Sequence, residues 1–315
     1  MTAAAPSPPA EAFLVAGCGL IGSSLARAAR AKGLARRVLV LDRDPSVVDR
    51  ALSLGLADAA ATSLDALDAR PDLAALCAPP RALAGLGAEL MAALDERAVL
   101  FDVGSVKGEL AEAVLAARAP GAPDFVPAHP IAGTEQSGPE AGFAELFEDR
   151  WCVLTPVEGA AAPASVERVA AFWRGCGAHV TRMTPSAHDA LLAATSHVPH
   201  LIAYALTLTA ADDAGVPRDD MARYSAGGFR DFTRIAASDP VMWRDVFLAN
   251  RTEVLAALDR FEQRLAMLRA AVDAGDGAAL ADSFERTRAV RARIIDAGQE
   301  TAEADFGRPR GHGES

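Results

Sequence analysis

The chain has 315 residues, 51% of them hydrophobic, enough to bury the core of one large or two medium domains. Its formal net charge of −11 leaves no electrostatic footprint for nucleic acid or an anionic membrane surface, so small molecules and protein are the expected partners. The four cysteines lie far apart with no CxxC pair, which argues against a zinc site and a disulfide framework and suits a reducing cytoplasm.

In chain order, residues 1–12 (MTAAAPSPPAEA) carry no positive charge and little apolar character, so they lack the parts of a secretory signal and read as a disordered leader. No uninterrupted apolar run approaches the ~18 to 20 residues of a membrane span, and a cytoplasmic protein without membrane contact is expected. Apolar runs of strand length then alternate with amphipathic helical segments, the pattern of parallel βαβ units. Strands are predicted over 13–16, 38–41, 73–78, 98–103, 125–128, 152–155 and 179–182. After Thr184 the strand signals stop. Residues 186–213 read as one long helix and 240–272 as another, the latter opened by Asp239 as N-cap and Pro240 at the first helical position.

The expected fold class is an α/β Rossmann-type doubly wound parallel sheet over 13–184, followed by an all-α C-terminal dimerisation domain over 185–300 and a disordered tail over 301–315. A helix over 240–272 would be about 50 Å long. Its heptad-spaced Phe247, Val254, Phe261 and Leu268, with Leu258, Leu265 and Val272, form an apolar stripe that predicts a homodimer.

Gly17, Gly19 and Gly22 form GCGLIG between the strand FLVA and the helical SSLARAARAKG. In that setting one glycine makes a tight turn, one lets the backbone of the loop, with Leu20 and Ile21, approach a pyrophosphate, and one packs helix on strand. The phosphates then sit at a helix N-terminus. Asp42, at the end of the second strand, lies where a carboxylate hydrogen-bonds a ribose 2′-OH and repels a 2′-phosphate, so NAD is expected over NADP. Arg43 beside it either covers the adenine face or pairs with the phosphate of NADP. FAD shares the glycine fingerprint, but nothing further along the chain reads as a flavin site.

Four more segments concentrate polar residues: DVGSVKG (102–108), HPIAGTEQSG (129–138), SHVPH (196–200) and GGFRDFTRIAASDPVMW (227–243). With the glycine loop, and in order from residue 13 to about 251, they resemble the prephenate and arogenate dehydrogenase family of tyrosine biosynthesis. The resemblance implies NAD-dependent oxidative decarboxylation of a cyclohexadienyl substrate, prephenate and/or arogenate, to 4-hydroxyphenylpyruvate and/or tyrosine. Such a reaction needs a base for the ring hydroxyl, a cation for a carboxylate, and a nicotinamide held near the ring carbon.

By that resemblance His129, read as lying in a loop after a strand, is the general base. Ser105 matches a serine that hydrogen-bonds the histidine, the hydroxyl or the nicotinamide, although Val103 stands where many members carry Gln. Arg234 matches the arginine that holds a substrate carboxylate, a role suited to a guanidinium fork. Asp231 would orient Arg234 or latch over the site. Trp243 matches a tryptophan that reaches the substrate from the partner subunit, with a core role as the alternative. His197 and His200 share one helix face, and one or both should meet the substrate, His200 first. No third ligand accompanies them and no metal is expected. Lys107 reads as a solvated or helix-start charge or as a functional one, and His179 and His188 as structural. Glu135 would face the substrate side chain: ionised it attracts the ammonium of arogenate, protonated it donates to the keto group of prephenate.

Two other readings stand beside this one. A β-hydroxyacid dehydrogenase shares the two-domain plan but places a catalytic lysine on a helix of the second half, whereas this chain has only Lys32 and Lys107. A non-catalytic NAD-binding protein predicts bound NAD without turnover, against which the His129, Ser105 and Arg234 set stands. With a dozen residues before the first strand and the tail TAEADFGRPRGHGES after the last helix, neither the chorismate mutase nor the ACT domain fused in some relatives is expected.

Overall fold

A computed structural model of the chain describes residues 9–134, 136–212, 215 and 218–297. Its first half is built on strands buried on both faces, as parallel sheets covered by helices require. The elements run β1 (Ala10–Ala16), α1 (Leu20–Ala31), β2 (Ala35–Leu41), α2 (Pro45–Ser53), β3 (Ala59–Ala61), β4 (Leu73–Leu76), α3 (Pro80–Ala93), β5 (Val99–Asp102), α4 (Gly108–Leu115) and β6 (Asp124–Val126). These six strands form one parallel sheet in the order β3-β2-β1-β4-β5-β6. Alternate side chains of β1 serve opposite faces: Phe13 and Val15 join α1 in one apolar cluster, while Leu14 and Ala16 join α3 and α4 in the other. The order reverses direction between β1 and β4, and the C-terminal ends of the strands there are where doubly wound sheets bind ligands.

Three details depart from the sequence expectation. β1 begins at Ala10, inside the expected leader, because the Ala10 N–H donates to the Leu34 carbonyl at 3.1 Å. β3 is three alanines, a residue with little strand preference, held in place by its parallel pairing with β2. The expected strand over 125–128 is two strands. Pro127 has no N–H to continue a ladder, and after it β7 (Ala128–Pro130) starts a second sheet with β8 (Trp151–Leu154) and, after α5 (Pro163–Gly175), β9 (His179–Arg182). In that sheet β7 runs antiparallel to β8, and β8 parallel to β9. His129 is therefore a strand residue, paired with Val153, rather than a loop residue.

The long helix expected over 186–213 starts one residue earlier. Thr184 caps it by accepting from the Ala187 N–H, and α6 (Pro185–Leu192) passes through a π-helical turn at Ala193–His197 into α7 (Val198–Asp212); Asp213 lies outside the described residues. This 28-residue stretch overturns the expectation that nothing is long and apolar enough to cross a membrane: an 18-residue window of it has mean hydropathy 1.3, with 28% of the window buried. Reading only uninterrupted apolar runs missed it, since histidine, proline and threonine are spread through it. The same stretch carries the buried His188 and Asp189.

After α8 (Arg218–Tyr224) and α9 (Gly227–Thr233), the second expected long helix is broken. α10 (Pro240–Ala249) and α11 (Arg251–Asp273) are separated by Asn250, whose backbone leaves the helical region at φ −106°, ψ 32°. The Asn250 Nδ2 donates to the Asp189 carbonyl at 2.9 Å at this break. The described residues end with α12 (Gly277–Asp296), and the expected tail lies outside them. Of the heptad stripe, Val254 is buried while Leu265 and Val272 are exposed. The chain divides into two compact units: residues 9–193 with Ser238–Arg251, and Ala194–Ala237 with the chain from Thr252 onward.

Candidate active site

The glycine loop follows β1 and opens α1, and each glycine has a separate physical reason. Gly17 takes φ +97°, and a Cβ there would stand 2.8 Å from the Cys77 carbonyl. At Gly22 a Cβ would stand 2.0 Å from the Gly17 carbonyl oxygen and 2.9 Å from Val15 Cγ1, so only glycine lets α1 lie this close to β1. At Gly19, the N-cap of α1, a Cβ would meet nothing within 4 Å, and no side chain caps the helix. That combination leaves backbone N–H groups and the positive end of the helix facing open space, which fits a pyrophosphate. Leu20 and Ile21, half-buried, form the first turn behind it.

Asp42 leaves β2 beside this loop and is tied to it. Its Oδ2 accepts from the Cys18 N–H at 2.9 Å and its Oδ1 from the Asp44 N–H at 3.1 Å. The half-buried carboxylate is thus fixed next to the glycines at the place where a ribose diol would lie, while Arg43 is exposed. These residues fit NAD.

His129 is 8% exposed on β7, and its ring meets that of His188 edge-on at a centroid distance of 5.1 Å. His129 Nδ1 lies 2.8 Å from His188 Nε2, and His188 Nδ1 lies 2.8 Å from Asp189 Oδ1. Asp189 also accepts the Lys107 N–H at 2.9 Å and the Gly108 N–H at 2.8 Å, where α4 begins. Burial works to raise its pKa, but His188 and those two backbone donors outweigh it and hold the carboxyl below its ordinary value. His188, read from the sequence as structural, is thus in direct contact with the predicted base.

The loop that starts α4 contains a second buried device. Lys107 is neither solvated nor exposed: its side chain is fully buried, with Nζ paired to Asp102 Oδ2 and donating to the Ala128 carbonyl at 2.7 Å. Burial lowers the lysine pKa, opposed by the Asp102 carboxylate. Asp102 also accepts the Ala128 N–H at 3.2 Å and the Gly104 N–H at 2.7 Å. Ser105, half-buried in the same loop, lines a cavity of about 300 Å³ together with Leu83, Leu110 and Val246.

Trp243 lies on α10 and is buried in its own chain, its ring 5.5 Å from that of Phe247. His197, His200, Asp231 and Arg234 belong to the second unit. His197 ends the π-helical turn, 1% exposed. His200 on α7 is half-buried and donates from Nδ1 to the Ser196 carbonyl at 2.8 Å; burial lowers its pKa, helped by the charge of Arg234 and opposed by the Ser196 bond. Arg234 begins the 3₁₀ turn after α9, and Asp231 is exposed on α9 itself. Glu135 lies outside the described residues. Among the described residues no three His, Cys, Asp or Glu side chains group closely enough to hold a metal ion.

The histidine–histidine–aspartate line escaped the sequence reading because His129 and His188 are 59 residues apart. The available signal was local: the Thr184-Pro185 helix start places a titratable His-Asp pair in the first turns of a helix.

Residues 25–182 match the family model for the nucleotide-binding domain of prephenate dehydrogenase, and residues 184–286 that for its dimerization domain. The chain is 40% identical over 270 residues to the cyclohexadienyl dehydrogenase of Zymomonas mobilis, covering 85% of this chain and 90% of that protein. It is 32% identical over 275 residues to the prephenate dehydrogenase of Bacillus subtilis, covering 86% and 72%. The crystal structure of prephenate dehydrogenase from Aquifex aeolicus, in complex with hydroxyphenyl propionate and NAD+, matches with a TM-score of 0.83 and 34% identity over 90% of this chain and 98% of that one. A nucleotide-binding sheet, a fixed acid beside its glycine loop, a buried histidine on β7 and these matches lead to one conclusion: the chain belongs to the prephenate dehydrogenase family.

Proposed function

We propose that this protein oxidises and decarboxylates prephenate, arogenate or both with NAD, with His129 as the general base. The observation that carries the assignment is the anchoring of the buried His129 ring through Nδ1, in a chain whose relatives are named for cyclohexadienyl and prephenate substrates. The Gly17–Gly22 loop and the start of α1 would hold the pyrophosphate, and Asp42 the adenosine ribose. Bound NAD supplies the hydride acceptor for the ring carbon that bears the hydroxyl. His129 takes the hydroxyl proton, Arg234 pairs with a substrate carboxylate, and Ser105 positions the reacting groups. The ring carboxylate departs as CO₂, and aromatisation of the ring provides the driving force.

In the second unit, His200 is half-buried whereas His197 is buried, which supports His200 over His197 as the substrate contact. Asp231 orients Arg234. Glu135 selects between the side chains, its carboxylate favouring the ammonium of arogenate. The match of residues 184–286 to a dimerization domain supports a homodimer, and the four free cysteines a reducing cytoplasm. The burial of Trp243 against Phe247 supports a core role for it.

Steady-state assays with prephenate and arogenate, each against NAD and NADP, test the proposal. Turnover with NAD preferred is expected, and His129→Ala should lower kcat by about 100-fold or more. Full activity in that variant overturns His129 as the base, and bound NAD without turnover of either compound leaves a non-catalytic NAD-binding protein. Glu135→Gln should lower the arogenate-to-prephenate ratio of kcat/KM, and an unchanged ratio overturns its selecting role.

A further inference from the structure

We infer that His188 and Asp189 are positioning residues that determine which nitrogen of His129 is basic and share the proton it receives. The inference rests on His129 being the base of the proposed reaction, and on the proton order that the contacts take when His188 is neutral. Asp189 accepts the backbone N–H groups of Lys107 and Gly108 at the N-terminus of α4, an arrangement that favours a carboxylate. Burial works to raise its pKa, but the His188 bond first and these two N–H groups after it hold the carboxyl below its ordinary value. An ionised carboxylate only accepts, so the bond at 2.8 Å obliges His188 to donate from Nδ1. In its neutral form His188 then presents an unprotonated Nε2 to His129 Nδ1, 2.8 Å away, and His129 must donate. Its own Nε2 is left as the basic nitrogen.

The proton balance follows. As the O–H bond of the substrate hydroxyl breaks, an N–H bond forms at His129 Nε2. The Nδ1 proton of His129 moves toward His188 Nε2, and the positive charge is spread over two imidazoles backed by one carboxylate. As CO₂ leaves, the ring oxygen gains an electron pair; the reverse shifts return the proton from His129 Nε2 to that oxygen before the product leaves, and no oxidant or reductant enters these steps. Neither His188 nor Asp189 has to touch substrate, and their backing is secured independently: the Asp189 carbonyl accepts from the buried Asn250 side chain at 2.9 Å.

The direct test is the ¹⁵N spectrum of the ring nitrogens in the full-length protein, assigned with His129→Ala, since Nδ1–H and Nε2–H imidazoles have distinct shifts. His129 is expected as the Nδ1–H tautomer at neutral pH. In His188→Leu it should revert toward the Nε2–H form, with kcat lower by about 100-fold and KM for NAD within about twofold of the unaltered protein. His188→Gln, whose amide carbonyl can accept the same proton, should recover the Nδ1–H tautomer and part of kcat. An Nε2–H tautomer in the unaltered protein, or unchanged kcat in His188→Leu, overturns the inference. A protein that turns over neither cyclohexadienyl compound overturns the functional reading instead, while the nitrogen spectrum still decides the tautomer.

Discussion

Lys107 grips Ala128 from inside the protein. Its Nζ donates to the Ala128 carbonyl at 2.7 Å while its ion-pair partner Asp102 accepts the Ala128 N–H at 3.2 Å, so one buried pair holds both polar groups of the residue before His129. The side chains of both partners are fully buried. Such pairs add little net stability over an apolar replacement, but breaking one leaves an uncompensated charge. Lys107→Met is therefore expected to destabilise the first unit by about 3–5 kcal/mol, seen as a lower urea midpoint. Adding Asp102→Leu should restore part of the loss. A Lys107→Met midpoint equal to that of the unaltered protein would contradict the pair's role.

The glycines of the loop should separate binding from stability. Gly22→Ala forces a methyl to within 2.0 Å of the Gly17 carbonyl oxygen and should cost about 1–3 kcal/mol in stability even without cofactor. Gly19→Ala meets no protein atom within 4 Å, so its thermal midpoint should stay near that of the unaltered protein while NAD affinity falls. Calorimetry paired with an NAD titration distinguishes the two, and equal effects on both quantities for both variants would refute the separate roles.

The proposed role of Asp42 in cofactor choice is open to a direct test. Asp42→Ala removes the acceptor of the Cys18 and Asp44 N–H groups and, on the proposed role, a charge-assisted bond to the ribose of about 1.5–3 kcal/mol. KM for NAD should rise roughly tenfold or more, with the ratio of NADP to NAD use increasing. If initial rates show the same KM for NAD, the carboxylate does not read the ribose.

Asp189 gives the stability curve an acid limb. Its folded pKa is depressed below 3.8, so its contribution is complete above that value and is lost as pH falls through the folded pKa. Unfolding followed from pH 6 down to roughly pH 2 should show a flatter acid limb for Asp189→Asn than for the unaltered protein. Parallel curves would show that the carboxylate is not held ionised by its partners.

Local chemistry made much of this protein readable in advance. The glycine spacing, the acid at the end of β2, the alternation of strands and helices, and the Asp239-Pro240 helix start all act over a few residues, and the structure bears out those elements. The split at Pro127 and the break at Asn250 were not readable in the same way. Proline announces the end of a ladder without saying that a second sheet begins, and the Asn250 side chain finds its partner at the break, the Asp189 carbonyl, 61 residues away.

The sequence by itself therefore determined the family, through the resemblance of its polar segments, and the dinucleotide loop, through the spacing of its glycines, since those signals are local. The tertiary structure decided what stands behind His129. His129, His188 and Asp189 meet, and Lys107 becomes a buried clamp instead of a surface charge, only when β5, β7, α4 and α6 are packed together. Burial and long-range hydrogen bonds depend on that packing, and no local pattern along the chain encodes them.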